Sequence, residues 1–352
     1  MGASMTAVRL PHADDAGRAT LRTIAAMAGV HVSTASRVLS PSTQAGVRAA
    51  SPATTDRIRA LAIELGYAPN PHATGLRTRR SQLVGVLVPR LTDIVLATIY
   101  DGVEEAAQEH GYHTFVANSR DSPAERTRRT EMLLARHVDG LILGDAPYDG
   151  VFADALAARG VPFVLVSRRA GEHPSVTCDD ELGGKLVAEH LLTLGHSRVA
   201  VVAGEPYAST GIDRTAGFRA AFAAAGLPVT DDRVLHSGFD VAAGHEAGTR
   251  LLSAVQRPTA IFAVNDFAAI GVLGAIREAG LRVGHDVAVV GYNDVPVVAE
   301  LPVPMTTVRS PMHQMGRDGF ELLHTRLGGA DVESRRLAPT LMVRESSGPR
   351  LS

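Results

Sequence analysis

Residues 20–80 concentrate a chemistry that the rest of the chain lacks. Arg22, Arg37, Arg48, Arg57, Arg59, Arg77, Arg79 and Arg80 stand there against only Asp56 and Glu64, a net charge of +6. The 352-residue chain carries 35 basic and 37 acidic residues, so everything outside this segment sums to −8. A basic head on an acidic body is the distribution expected of a protein whose head meets a polyanion. A second set of polar residues is spread widely: Arg120, Asp145, Ser167, Thr210, Arg214, Asn265 and Asn293. Carboxylates, amides, hydroxyls and guanidinium groups of this kind exchange the several hydrogen bonds that a polyol offers. Catalysis is not signalled. There is no G-x-S-x-G elbow and no G-x-x-x-x-G-K loop, and Lys185 is the sole lysine. The 14 histidines are scattered; His110 and His113 lie close, but no acidic or cysteine neighbour has metal-site spacing, and they read as surface residues. No metal and no cofactor are expected. Gly183-Gly184-Lys185 opens a helix and is a weak anion-binding signal.

The elements that position the head follow from local rules. Thr20 is a suitable N-cap, and Leu21, Ile24, Ala25 and Ala28 behind it share one helical face. Gly29 ends this helix as a residue of positive φ does. A second helix over 32–39 puts Ala35, Val38 and Leu39 inward and Val32, Ser33, Ser36 and Arg37 outward. Two helices crossing steeply within a short turn need small residues there, which Ala25 and Gly29 supply. Ser51 caps a third helix with Pro52 at its first position, Ile58, Leu61, Ala62 and Leu65 form its core stripe, and Gly66 ends it. Pro69 and Pro71 then isolate a segment to Arg80 too short to hold a helix alone. It is expected to be coil in the free protein and helix when paired on DNA.

Beyond residue 80, β-rich runs at 83–88, 113–118, 140–144, 162–166, 198–203, 260–264 and 287–292 alternate with helical stretches. Gly111, Gly160, Gly226 and Gly280 punctuate the helix ends. This cadence predicts parallel sheets with helices on both faces, and its length predicts two lobes. Ligands of open α/β sheets gather at the carboxyl ends of strands. The polar set named above sits at those ends, with residues 90–93, 168–169, 211–213, 266 and 294 beside it.

The stretch Thr20-Leu-Arg-Thr-Ile-Ala-Ala-Met-Ala-Gly-Val-His-Val-Ser-Thr-Ala-Ser-Arg-Val-Leu-Ser40 resembles the N-terminal signature of the lactose/galactose repressor family of bacterial transcriptional regulators. Gly66-Tyr-Ala-Pro-Asn70 and Ala73-Thr-Gly-Leu-Arg-Thr78 resemble its hinge, and the resemblance continues to the C-terminus. It implies an all-α helix-turn-helix headpiece joined to a two-lobed α/β core like that of periplasmic binding proteins. Val32, Ser33 and Arg37 would then meet base edges in a major groove, Arg37 by forking onto guanine. Thr20, Thr34 and Asn70 match backbone-contacting or capping positions, and Leu76 matches the leucine that wedges into the minor groove. Arg214 matches an effector-binding arginine, Asn265-Asp266 an Asn-Asp pair, and Asn293-Asp294 a paired acidic site. The sequence departs from the family at His31, where a capping serine is usual, and at Ala35, where valine is commoner. It also departs in a longer 41–50 stretch, at Asn293 for a frequent aspartate, and in lacking an aromatic pair after the first strand.

The resulting expectation is a leader at 1–19, a headpiece at 20–68, a hinge at 69–80 and an effector-binding core at 81–347. The resemblance places the first lobe at about 81–178 and 309–328, and the second at 179–308 and 329–347. The expected function is a DNA-binding regulator, a repressor, whose hold on a pseudo-palindromic operator is controlled by a small molecule, a sugar by expectation. No leucine heptads trail the core, so a homodimer is expected. Cys178 is the lone cysteine, no apolar run approaches membrane-spanning length, and the leader lacks an export signal's apolar core. A cytoplasmic protein without membrane contact is the expectation. A solute-binding protein for transport and a sugar-directed enzyme are the competing readings; the first has no use for the headpiece and the second lacks a catalytic set.

Overall fold

The computed structural model describes residues 19–39, 50–67 and 80–349. The expected leader up to residue 18, most of the 41–50 stretch and hinge residues 69–79, with Asn70 and Leu76, lie outside the described residues. The chain divides into two compact units, residues 1–81 and 82–352.

The first unit holds α1 (Leu21–Ala28), α2 (Val32–Leu39) and α3 (Pro52–Glu64). Thr20 Oγ1 accepts the Thr23 amide at 3.2 Å, and Gly29 closes α1 at φ +66°, a backbone region that carries little penalty only without a Cβ. Ser51 caps α3 by accepting the Thr54 amide at 3.3 Å, with Pro52 at the first helical position. Ile24, Ala25, Ala28, Ala35, Val38, Ile58 and Ala62 form the shared core. The Arg57 guanidinium ties α3 to the end of α1 by donating to the Met27 carbonyl at 3.1 Å.

The second unit contains two six-stranded sheets. The first lobe runs β1 (Leu83–Val88), α4 (Ile94–Glu109), β2 (His113–Asn118), α5 (Pro123–Ala135), β3 (Gly140–Leu143), α6 (Val151–Ala158), β4 (Phe163–Val166) and β5 (Ser175–Cys178). The second runs α7 (Asp180–Thr193), β6 (Val199–Gly204), α8 (Ser209–Ala224), β7 (Val234–His236), α9 (Val241–Leu252), β8 (Ala260–Ala263), α10 (Asp266–Glu278), β9 (Ala288–Asn293) and β10 (Thr306–Arg309). The chain then returns through α11 (Met312–Leu327), β11 (Arg335–Leu337) and β12 (Thr340–Met342). Sheet orders are β11-β5-β4-β3-β1-β2 and β12-β10-β9-β8-β6-β7, with every pairing parallel except β10 with β12. Strands β3, β4, β5, β6, β8 and β9 are buried along their whole length, as parallel strands covered on both faces must be.

Two details differ from the sequence reading. The short strands β5 and β10 and the three-residue strands β7, β11 and β12 were not expected. β11 pairs with β5 in the first lobe, so the last crossover falls between Leu337 and Thr340, about ten residues after the expected place. Gly183 and Gly184 also receive a structural explanation. A Cβ on Gly184 would collide with the Arg214 carbonyl, and one on Gly183 with the Tyr292 hydroxyl, so both permit close helix packing. Gly217 does the same reciprocally against Glu181, letting α7 and α8 touch backbone to backbone.

Candidate functional site

Two surfaces carry chemistry, one in each unit. In the headpiece, α2 is divided along its length. Ala35 and Val38 are buried, while Val32 (36% exposed), Ser33 and Arg37 face outward and Thr34 is half-buried. With its side chains such a helix is about 10–12 Å across, which matches the about 12 Å width of a B-DNA major groove. Arg37 Nε donates to the Ser33 carbonyl at 3.2 Å, laying the guanidinium along the outer face. The departure at His31 preserves the cap: its Nδ1 accepts the Ser33 amide at 3.3 Å and lies 2.8 Å from the Ser33 hydroxyl. That bond requires the ring proton on Nε2. An imidazole therefore does the work expected of a serine hydroxyl. Thr20 is exposed, with its own hydroxyl engaged in capping α1.

In the core, both sheets carry a β2-β1-β3-β4-β5 type of order, and its switch point lies between β1 and β3 in one lobe and between β6 and β8 in the other. A cleft opens there, with an empty volume of about 640 Å³ including its mouth. The first lobe contributes Pro89, Arg90, Asp93, Val95, Leu96, Asp121, Gly144, Ser167 and Arg168; the second contributes Glu205, Tyr207, Thr210, Arg214, Phe239, Asn265 and Asn293. Arg120, Asp121, Ser167, Asn293 and Asp294 all have positive φ. Strand ends strained in this way cluster where side chains must be aimed at a site.

Of the sequence-selected residues, Ser167, Thr210, Arg214, Asn265 and Asn293 line the cleft, whereas Arg120 and Asp145 do not. The left-handed turn at Arg120 and Asp121 exposes the arginine and brings the aspartate in. Asp121 accepts both Arg168 Nη groups, at 2.8 and 3.0 Å. Asp145 is fully buried one layer behind, where its carboxylate accepts Arg126 Nε at 2.9 Å and its carbonyl accepts Arg168 Nη1 at 3.4 Å. Burial pushes the Asp145 carboxyl up, opposed by the Arg126 charge. It positions the cleft arginine.

Arg214 is clamped. Its Nε donates to Asp180 at 2.8 Å, its Nη1 to the Val264 carbonyl at 2.7 Å, and its guanidinium carbon lies 3.7 Å from the Tyr292 ring centroid. Asn265 caps α10 by accepting the Ala268 amide at 2.8 Å, and its amide donates to the Phe239 carbonyl at 2.7 Å. It thereby fixes the loop that presents Phe239. Asp266 turns away from the cleft, accepting the Val295 amide at 2.8 Å and the Thr307 hydroxyl at 2.6 Å, and burial pushes its carboxyl up to about 7. Burial likewise raises the Asp93 carboxyl, while the Val95 amide and the Arg90 charge oppose the rise.

Tyr207 and Phe239 were missed by the sequence reading, which looked for aromatics only after the first strand. Both sit in second-lobe loops without a local signature. Burial and the Asp121 and Glu205 carboxylates push the Tyr207 phenol up to about 12, so it remains a hydrogen-bond donor. Across the lobes, Arg169 meets Asp213 through two hydrogen bonds of 2.7 and 2.8 Å, and its amide donates to Ser209 Oγ at 2.9 Å. Arg90 reaches Asp240 at 3.4 Å.

Residues 20–70 match the family model described as bacterial regulatory proteins, lacI family, and residues 188–347 match the periplasmic binding protein-like domain. The chain is 36% identical over 340 residues to the HTH-type transcriptional regulator CelR of Thermobifida fusca, covering 94% of this chain and 98% of that one. It is 31% identical over 334 residues to the ribose operon repressor of Escherichia coli K12, covering 94% and 100%. Among solved structures, the lac repressor dimer bound to operator and the anti-inducer ONPF superposes with a TM-score of 0.85 at 28% identity, covering 94% and 100%. The CelR–cellobiose complex superposes with a TM-score of 0.72 at 34% identity, with the same coverage.

Proposed function

The chain belongs to the lacI family of DNA-binding transcriptional regulators, and from that premise we propose that it is a homodimeric repressor acting in the cytoplasm. Each protomer lays α2 in a major groove of a pseudo-palindromic operator, reading bases with Val32, Ser33 and Arg37. Thr20, Thr34 and Asn70 serve the phosphate backbone or the caps beside it, and Leu76 wedges the minor groove. The observation that carries this reading is the division of α2, whose buried side is satisfied by Ala35 and Val38 while its outer side is left to Val32, Ser33 and Arg37. No described helix is long and apolar enough to cross a membrane.

The effector is a neutral carbohydrate bound between the lobes. Three carboxylates, Asp93, Asp121 and Glu205, balance three guanidinium groups, Arg90, Arg168 and Arg214, so the lining favours neither anions nor cations. Tyr207 and Phe239 add apolar faces for the C–H side of a sugar ring. Ser167, Thr210 and Asn293 supply further polar contacts, and Arg120 and Asp145 act from outside the lining. Operator and effector share one linkage: each changes the other's affinity by the same factor. A thermal-shift screen of neutral mono- and disaccharides, followed by operator titration with each hit, tests this reading. A sugar that raises the melting temperature of the core and changes operator affinity supports it. Stabilisation by charged metabolites alone contradicts it.

A further inference from the structure

His110, which follows α4, meets Glu321 and His324 of α11, residues 211 and 214 positions away in the sequence. His110 Nε2 lies 2.9 Å from Glu321 Oε1, and the His110 and His324 ring centroids are 4.2 Å apart. One ligand atom from each of the three residues lies within 4.8 Å of the others, and no other group of three or more histidine, cysteine or acidic residues does so among the described residues. We propose that this cluster is a divalent transition-metal site, suited to Zn²⁺, that ties α4 to α11 within the first lobe.

The donor set fits the ion. Two imidazoles and one carboxylate are ligands that Zn²⁺ takes at about 2.0–2.2 Å, with water in a fourth position. Tetrahedral coordination at that length separates ligand atoms by about 3.4 Å. The His110–Glu321 distance is already shorter, and the remaining ones need close by no more than about 1.4 Å, within reach of χ rotations at a partly exposed site. The spacing Glu321-Leu-Leu-His324 places both α11 ligands on one helical face, the i, i+3 arrangement used by metal-binding bundles. Leu322 and Leu323 are buried, so the helix that carries the two ligands is anchored. The ring of Phe320 packs 5.7 Å from that of His110 and limits its rotation. An ion here would replace the hydrogen bridge between His110 and Glu321 by a stronger one. It would fasten the crossover helix to the lobe that α11 re-enters.

The test uses full-length protein without an affinity tag, freed of metal by chelator. Calorimetric titration with Zn²⁺ is expected to show one ion per chain, and Co²⁺ to give visible ligand-field bands. Glu321→Gln and His324→Asn should each weaken binding by roughly tenfold or more. His313→Ala is the control, because His313 pairs with Asp101 and Glu105 elsewhere on the same two helices. Zn²⁺ should raise the melting temperature of wild type but not of the two ligand variants. Either ligand variant that keeps the metal-free melting temperature suffices to decide. No binding by wild type, undiminished binding by such a variant, or equal loss in His313→Ala would overturn the proposal. None of these outcomes depends on operator or sugar binding.

Discussion

The outward face of the headpiece comes from eight consecutive residues of α2, whereas the cleft collects its lining from strand ends running from Pro89 to Asn293. The difference extends to how each side chain is held. Arg37 lies exposed along its own helix, while Arg214 is buried in a clamp of carboxylate, carbonyl and aromatic ring. Recognition groups in the headpiece are therefore separable from folding. Those in the cleft, such as Arg168 on Asp121 and Arg214 on Asp180, are part of what holds each lobe together.

Arg214→Ala should break this comparison most visibly. It leaves Asp180 buried without its partner, and losing one member of a buried ion pair costs about 3–5 kcal/mol. Urea unfolding followed by circular dichroism should show the core transition moving down by that amount, with headpiece helicity retained. A second effect concerns pH. The Asp266 carboxyl rises from 3.8 to about 7 in the folded core, so the native state holds its proton more tightly than the unfolded chain does. Its contribution is most favourable below about pH 4, is lost as pH climbs toward 7, and is level above that. Urea midpoints between pH 4 and 8 should carry this slope in wild type and lose it in Asp266→Asn.

The headpiece changes are smaller. Arg37→Ala should weaken operator binding by about 1–3 kcal/mol, as loss of one base-reading fork does, with both unfolding transitions unmoved. A drop in melting temperature of similar size would mean that the two regions are not so different. Least of all, His31→Ala should cost the headpiece about 0.5–2 kcal/mol through the lost cap, and His31→Ser should restore most of it. Melting of the headpiece helices in the three proteins checks the order.

The same contrast explains what could be read from the sequence. Thr20, Gly29, Ser51 and Pro52 act on neighbours within a few residues, so the headpiece helices and their ends were legible. So were the main strands, since a fully buried parallel strand such as β4 is an apolar run, here preceded by Gly160 at positive φ. Ser175-Val-Thr-Cys178 is too short and polar to announce a strand, and its partner β11 becomes one only by pairing with it. Hence the last crossover was placed too early. The cleft was legible as a set of strand ends but not in register: one left-handed turn exchanges Arg120 for Asp121. Tyr207, Phe239 and the Glu321–His110 pair depend on contacts that no local pattern encodes.

Selection of bound duplexes from a random-sequence pool by the full-length protein, repeated with Ser33→Ala and Arg37→Ala, probes the DNA-facing helix most directly. Wild type should converge on one two-fold symmetric site with affinity that falls steeply with salt, and each variant should relax or change the bases at matching positions in both halves. Failure of wild type to enrich any sequence, or recovery of the same unaltered site by both variants, would contradict the assignment of base reading to α2.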